Sequence, residues 1–314
     1  MAVYTEVPAE ELAEFLAAYD VGTLVMAKGI AEGVSNSNYL VETTRGRFVL
    51  TLYERRIDEA DLPWFLALMD HLAGRGLPVP RPLADAQGRT LSRLRGRPAA
   101  LVEFLAGVSL TQPQAAHCRA VGEALARLHL AGRDFGPPRP NHLGPAAARA
   151  IANDLGDRLD RLEPGLRDRI RRTLDQVERD WPGRLPTGVI HGDLFPDNVL
   201  FQGGQVSGLI DFYFAATDLL AYDLAVARTA WSFTPDGRHF LPHHDAALLE
   251  GYAQVRPLAP DERAALPLLA QAACLRFLLT RAQDWFDPAP GFVQRKDPLA
   301  FARRLRHHAA PAPA

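Results

Sequence analysis

Apolar residues recur at two different periods along this chain, and the change from one to the other divides it. Up to about residue 105 the spacing is mostly that of strands: residues 24–31, 38–43 and 48–53 predict three antiparallel strands, and 98–105 (PAALVEFL) a further apolar one. Two helical stretches interrupt them. Residues 8–19 place Leu12, Phe15, Leu16 and Tyr19 at helical spacing, and 58–75 set Leu62, Phe65, Leu66, Met69 and Leu72 on one face, with Pro63 in the first turn. GLPVPRPL reads as an extended connector, and 85–90 as a turn. From Thr111 the period becomes helical, over 114–130, about 146–162, 165–181, 218–231, about 243–255 and 261–286. One ribbon breaks this region: Val189-Ile190, then 199–201 and 206–210 joined by the turn residues Gln202-Gly203-Gly204-Gln205. The expected fold class is α+β in two lobes, a small antiparallel-sheet lobe over 1–105 and a larger, mostly helical lobe over 106–314.

Composition narrows the function classes. With 314 residues, 47% of them hydrophobic, the chain can bury a sizeable core in each lobe. A formal net charge of −2 offers no basic field for nucleic acid. No apolar run approaches a membrane span, and the acidic start lacks the order of a signal peptide. Cys118 and Cys274, the two cysteines, lie in helical and apolar patterns, so buried free thiols in a reducing cytoplasm are expected.

The ribbon carries the chemistry. If Gly203 and Gly204 form its tip, positions summing to 407 pair, so Asn198 faces Leu209. Asp211 then lies two residues further on, roughly 7 Å at strand rise. An amide oxygen and a carboxylate that close can share Mg²⁺, which demands hard oxygen ligands and keeps waters and phosphates in its other positions. Asp193, in the loop just before, can take a proton from a substrate hydroxyl. This reads as a phosphoryl-transfer centre. Upstream, Gly29–Asn38 (GIAEGVSNSN) is a glycine-bearing hairpin tip whose backbone N–H groups can cover phosphates, with Gly29, Gly33, Ser35, Asn36 and Ser37 as candidates.

The pattern H-G-D-x-x-x-x-N followed by I-D-F resembles the catalytic and metal-binding segments of the protein-kinase-like small-molecule kinases, the aminoglycoside phosphotransferases and choline kinases among them. The resemblance implies Asp193 as catalytic base, Asn198 and Asp211 as magnesium ligands and His191 as the histidine that orders the loop. Asp223, in TDLLAYDLA, matches the carboxylate that braces it. It also implies ATP in the cleft between the lobes, and a hinge at 103–107 where Glu103 and Leu105 meet adenine. One departure stands out: Thr51 occupies the strand position where these kinases carry a phosphate-binding lysine. Lys28, Arg55 and Arg56 are possible replacements, and an inert nucleotide-binding pseudokinase is the alternative.

Over nearly its full length, in segments such as KGIAEGVSNSNYLVETTRGRFVLTLYERR, GVIHGDLFPDNVLF and LRFLLTRAQDW, the chain is similar to the bacterial homoserine kinases of this fold. Their branch also carries threonine in the V-L-T-L-Y-E strand. The implied reaction converts ATP and L-homoserine to ADP and O-phospho-L-homoserine, one step before threonine. Such a substrate asks for an arginine at its carboxylate and oxygens at its ammonium. Arg276 and Arg281 are candidates for the first, although five helical residues point them about 140° apart. Asp218 is a candidate for the second, and Tyr213 and Trp231 are candidate pocket walls. Arg281 also has Asp284 nearby for a surface pair. His239, His243 and His244 read as loop residues, and His307 and His308 as solvated. Rival substrates are choline, ethanolamine, a methylthio-sugar or an aminoglycoside. Nothing in the sequence specifies an oligomeric state.

Overall fold

The structure, a computed structural model, describes residues 5–30, 36–54, 57–288 and 295–309. In chain order the elements are α1 (Ala9–Leu16), β1 (Leu24–Ile30), β2 (Asn36–Thr43), β3 (Gly46–Tyr53), α2 (Leu62–Gly74), β4 (Ser92–Leu94), β5 (Arg97–Glu103), α3 (Ala115–Ala131), α4 (Pro145–Leu155) and α5 (Leu166–Arg179). Then follow β6 (Thr187–Ile190), β7 (Val199–Gln202), β8 (Gln205–Leu209), β9 (Ala216–Leu219), α6 (Leu220–Trp231), α7 (Pro242–Val255), α8 (Pro260–Phe286) and α9 (Leu299–Ala309).

Contacts gather the chain into two units, the first running to Gly107 and including Ser207–Tyr213, the second holding most of the remainder. In the first, five antiparallel strands lie in the order β1-β2-β3-β5-β4. Alternation along them decides the core. Tyr39, Val41, Leu50, Leu52, Ala99 and Leu101 are buried together with Leu12 and Leu16 of α1. Residues paired across antiparallel strands share a face, so Asn38, Thr51 and Lys28 point to the opposite side, through the pairs Asn38↔Thr51, Lys28↔Leu40 and Leu40↔Val49. The expected helix from Asp58 opens as a 3-10 turn, Glu59–Asp61, before α2 begins at Leu62: Asp58 accepts a hydrogen bond from Ala60 N–H at 3.0 Å, and Glu59 forms an ion pair with Arg93 of β4. The segment Ser207–Tyr213 is tied into this unit by Leu209 N–H donating to Pro78 O at 2.8 Å.

The second unit is helical around the short β6–β9 ribbon and the turn of the β7–β8 hairpin, whose chain passes into the first unit at Ser207. β6 pairs with β9 in the register Thr187↔Leu219 to Ile190↔Ala216, and β7 with β8. The glycines of the β7–β8 turn, Gly203 and Gly204, both have φ in the left-handed region, at 56° and 81°. Helices α3 and α7 cross at their closest point through glycines: a Cβ on Gly122 would stand 2.1 Å from Leu248 O, and one on Gly251 2.1 Å from Arg119 O. α8 is long and apolar enough to cross a membrane by length and composition, yet it serves as a core helix, packed on α4, α5, α6 and α9.

β4 was not predicted, and two elements of the second unit also depart from the periodicity reading. Residues 216–219 form a strand, where the apolar pattern extends the α6 helix back to Asp218. α9 was not expected at all. It turns His307 and His308 onto Phe233, at ring separations of 5.3 and 5.5 Å, where solvated histidines were anticipated.

Candidate active site

β6 delivers His191, Gly192 and Asp193 into a loop whose backbone is held from several sides. The Asp223 carboxylate, fully buried at the start of α6, accepts from His191 N–H at 2.7 Å and from Gly192 N–H at 2.8 Å. Both expected loop-ordering residues, His191 and Asp223, therefore sit at the loop. His191, also buried, accepts from Asp193 N–H through Nδ1 at 3.2 Å. Gly192 has φ 74°, and a Cβ there would press to 2.7 Å from Phe214 O, so the position requires glycine. Arg276 Nη1 donates to Gly192 O at 2.5 Å, and the Trp231 indole N–H to Leu194 O at 2.8 Å.

Behind Asp223 runs a buried polar chain that sequence reasoning missed. His129 Nε2 lies 3.0 Å from Asp223 Oδ2, and its Nδ1 2.7 Å from the Tyr252 hydroxyl. Arg256 donates to that hydroxyl at 3.1 Å and to Glu262 at 2.9 Å. The Tyr252 oxygen accepts from Arg256, so its own proton is directed to His129 Nδ1, which leaves His129 Nε2–H to donate to Asp223. Every member is then satisfied, as a buried network must be. Burial works to raise the Asp223 pKa, but the hydrogen bonds it accepts, from His129 first and then from the Gly192 N–H, outweigh it and hold the carboxyl below its usual range.

Asp193 is half-buried in this loop, and Asn198 Nδ2 donates to its backbone oxygen at 2.7 Å and to its carboxylate Oδ2 at 3.1 Å. These two bonds orient the amide and leave Asn198 Oδ1 as an oxygen donor for a hard cation. Asp211 belongs to the first unit. It is exposed and its φ of 64° places a non-glycine residue in the left-handed region, a strain that surrounding structure must sustain. An amide oxygen and a carboxylate oxygen are donors of the kind Mg²⁺ selects.

Where a phosphate-binding lysine is missing, the first unit holds an uncharged cluster. Thr51 donates to Asn38 Oδ1 at 2.8 Å, and the Tyr213 and Tyr53 hydroxyls lie 2.9 Å apart. Burial raises both phenols, which keeps them protonated. Tyr213 also meets Phe65 of α2 edge-on, at 5.8 Å. It is thus a spacer between the sheet and Asp211, two residues before it. Lys28 is exposed on β1, on the Thr51 face of the sheet.

The remaining candidates are distributed as follows. Gly29 and Asn36 are strand residues, paired with Tyr39 and Tyr53. Ser37 is fully buried, donating to Glu54 at 2.6 Å and accepting from Thr5 N–H, so the strand claims a residue assigned to the phosphate loop. Gly33, Ser35, Arg55 and Arg56 lie outside the described residues. Glu103 ends β5, its N–H bonded to Arg81 O, and Leu105 follows two residues before the unit boundary. Arg276 is 3% exposed and Trp231 1%, which removes Trp231 as an open pocket wall. Arg281, half-buried, lies over the Phe301 ring at 4.6 Å and feels the charges of Asp193, Asp197 and Asp297. Burial lowers its pKa. Asp218 accepts from Asn141 Nδ2 and Leu219 N–H, both at 2.7 Å, and lines a cavity of about 510 Å³ with His142 and Trp181.

Comparison with known proteins agrees with this layout. Residues 27–258 match the Phosphotransferase enzyme family. Over 310 residues the chain is 56% identical to the homoserine kinase of Gluconobacter oxydans, covering 98% of both chains. It is 54% identical to that of Afipia carboxidovorans, over 98% of this chain and 94% of the relative. Among solved structures, an amicoumacin kinase in complex with AMP-PNP and Ca²⁺ superposes with a TM-score of 0.69 over 96% of this chain and 93% of the other, at 15% identity. A microcompartment-associated aminopropanol kinase gives 0.68 over 96% of each chain, at 19% identity. Both show the shared kinase-like fold.

Proposed function

The chain belongs to the phosphotransferase enzyme family, and from that premise we infer that it transfers the γ-phosphoryl group of ATP to the side-chain hydroxyl of L-homoserine, giving O-phospho-L-homoserine for threonine synthesis. The single observation that carries the substrate is the identity of 56% with a homoserine kinase, sustained from end to end. The loop carries the chemistry.

Asp193 accepts the hydroxyl proton as the alcohol oxygen attacks phosphorus and the bond to the ADP oxygen breaks. Asn198 keeps the Asp193 carboxylate oriented through its 3.1 Å bond. Asn198 Oδ1 and Asp211 are the proposed holders of Mg²⁺, which neutralises phosphate charge when bound. Little covalent assistance is needed, because the transition state is loose and most acceleration comes from positioning and electrostatics. Of the two arginines, Arg281 is the proposed partner of the homoserine carboxylate, because it shares the electrostatic surroundings of Asp193. Gly29, Glu103 and Leu105 are proposed nucleotide contacts. A reducing cytoplasm suits Cys118 and Cys274, both buried and unpaired, with burial pushing each thiol up to about 12.

An ADP-release assay against homoserine, choline, ethanolamine, serine and an aminoglycoside, each with and without Mg²⁺, tests this reading. Turnover is expected with homoserine and Mg²⁺ alone. Preference for another alcohol, or no turnover with any, would overturn it.

A further inference from the structure

Arg276 sits in the middle of α8, 3% exposed, and among the described residues no carboxylate pairs with it. A buried guanidinium without a counter-ion is costly, and structures retain such a group only where its hydrogen bonds are used. Its bonds here are specific. Nη1 donates to Gly192 O at 2.5 Å, and the cation lies over the rings of Phe277 at 4.6 Å and Phe214 at 5.5 Å. Nε is buried with no partner. The group therefore spends its one short bond on a single carbonyl of the catalytic loop.

That carbonyl belongs to the peptide linking Gly192 to Asp193. The N–H of the same peptide donates to His191 Nδ1 at 3.2 Å, while the two preceding N–H groups go to Asp223. The loop is gripped from both signs of charge: a buried carboxylate takes its donors and a buried guanidinium its acceptor. In the protein kinases the arginine stands inside the loop, between histidine and aspartate. Here glycine occupies that place, because its φ of 74° and the nearness of Phe214 O leave no room for a side chain.

We propose that Arg276 is a positioning residue for phosphoryl transfer, fixing the plane of the Gly192–Asp193 peptide and so the aim of the Asp193 carboxylate, without touching substrate. The inference rests on the reading of Asp193 as the base.

The test replaces Arg276 by methionine, which keeps the apolar stem, and by lysine, which restores one charged donor. In Arg276→Met, kcat falls about 10- to 100-fold, in line with small misplacements of a reacting group, while KM for homoserine and for ATP stays within about 3-fold. Arg276→Lys recovers part of kcat. 3-Amino-1-propanol, homoserine without its carboxylate, serves as second substrate, and its turnover falls in parallel with that of homoserine. An unchanged kcat in the methionine variant overturns the proposal. So does a KM effect confined to homoserine, which would make Arg276 a carboxylate anchor. Should the methionine variant fail to fold, Arg276→Gln is read the same way: a kcat loss at fixed KM sustains the proposal and full kcat overturns it. Asp193→Ala, run alongside, separates the two failures, since an active Asp193 variant removes the base itself.

Discussion

Truncating Asp193 to alanine removes the group proposed to receive the hydroxyl proton, yet leaves the backbone grip of Asp223 and Arg276 in place. The expected result is a loss of kcat by roughly 10²–10⁴-fold with nucleotide affinity little changed, read by steady-state kinetics and by ADP titration. Near-normal turnover would remove Asp193 from the role. At this scale the sequence was most legible where the spacing is short: His191, Asp193 and Asn198 were named from it, and the fold joins them by hydrogen bonds. It was least legible for groups that act from a distance along the chain. Arg276 reads as a candidate anchor for a substrate carboxylate until the fold brings it 2.5 Å from a carbonyl 84 residues away. His129 reads as a helix-end histidine until Asp223 and Tyr252 close on its two nitrogens.

Between elements, the α3–α7 crossing is held by a pair of glycines that no periodicity argument singles out, because a glycine on a helix face signals nothing by itself. Adding one methyl at Gly122 drives a Cβ into Leu248 O, which is backbone and cannot swing away. Gly122→Ala is expected to cost about 1–3 kcal/mol in denaturant unfolding, as overpacking does. Since α7 also carries Tyr252, which supports His129, kcat should drop as well. Gly251→Ala acts on the same crossing and should give less than an additive loss in the double variant, because one displacement of α7 relieves both clashes. A strictly additive pair would sink this account. The missed strand 216–219 has a related origin. Four residues that include Thr217 and Asp218 carry too little alternation to be separated from the helix that follows without a turn. α9 was overlooked because its composition, rich in Arg and His, imitates a solvated tail, whereas Phe301 and Leu305 bury its inner side.

For the molecule as a whole, docking of α9 makes stability depend on mild acid. Burial, then the charge of Arg228, lowers the His308 pKa from 6.5 to about 4. The unfolded chain takes up this proton below about 6.5 and the folded chain does not until about 4. Stability from this group is therefore full above 6.5 and is lost as pH falls between those values. The thermal midpoint should decline over that window, and His308→Phe should flatten part of the decline. An identical slope in the variant would refute the assignment. The uncharged Thr51–Tyr213 cluster bears on more than this chain. Lysine-directed acyl-phosphate nucleotides, used to tag and count kinases across a proteome, would find no amine on β3 to acylate. An inventory compiled that way would count this enzyme only if Lys28, on the same face of the sheet, took the label.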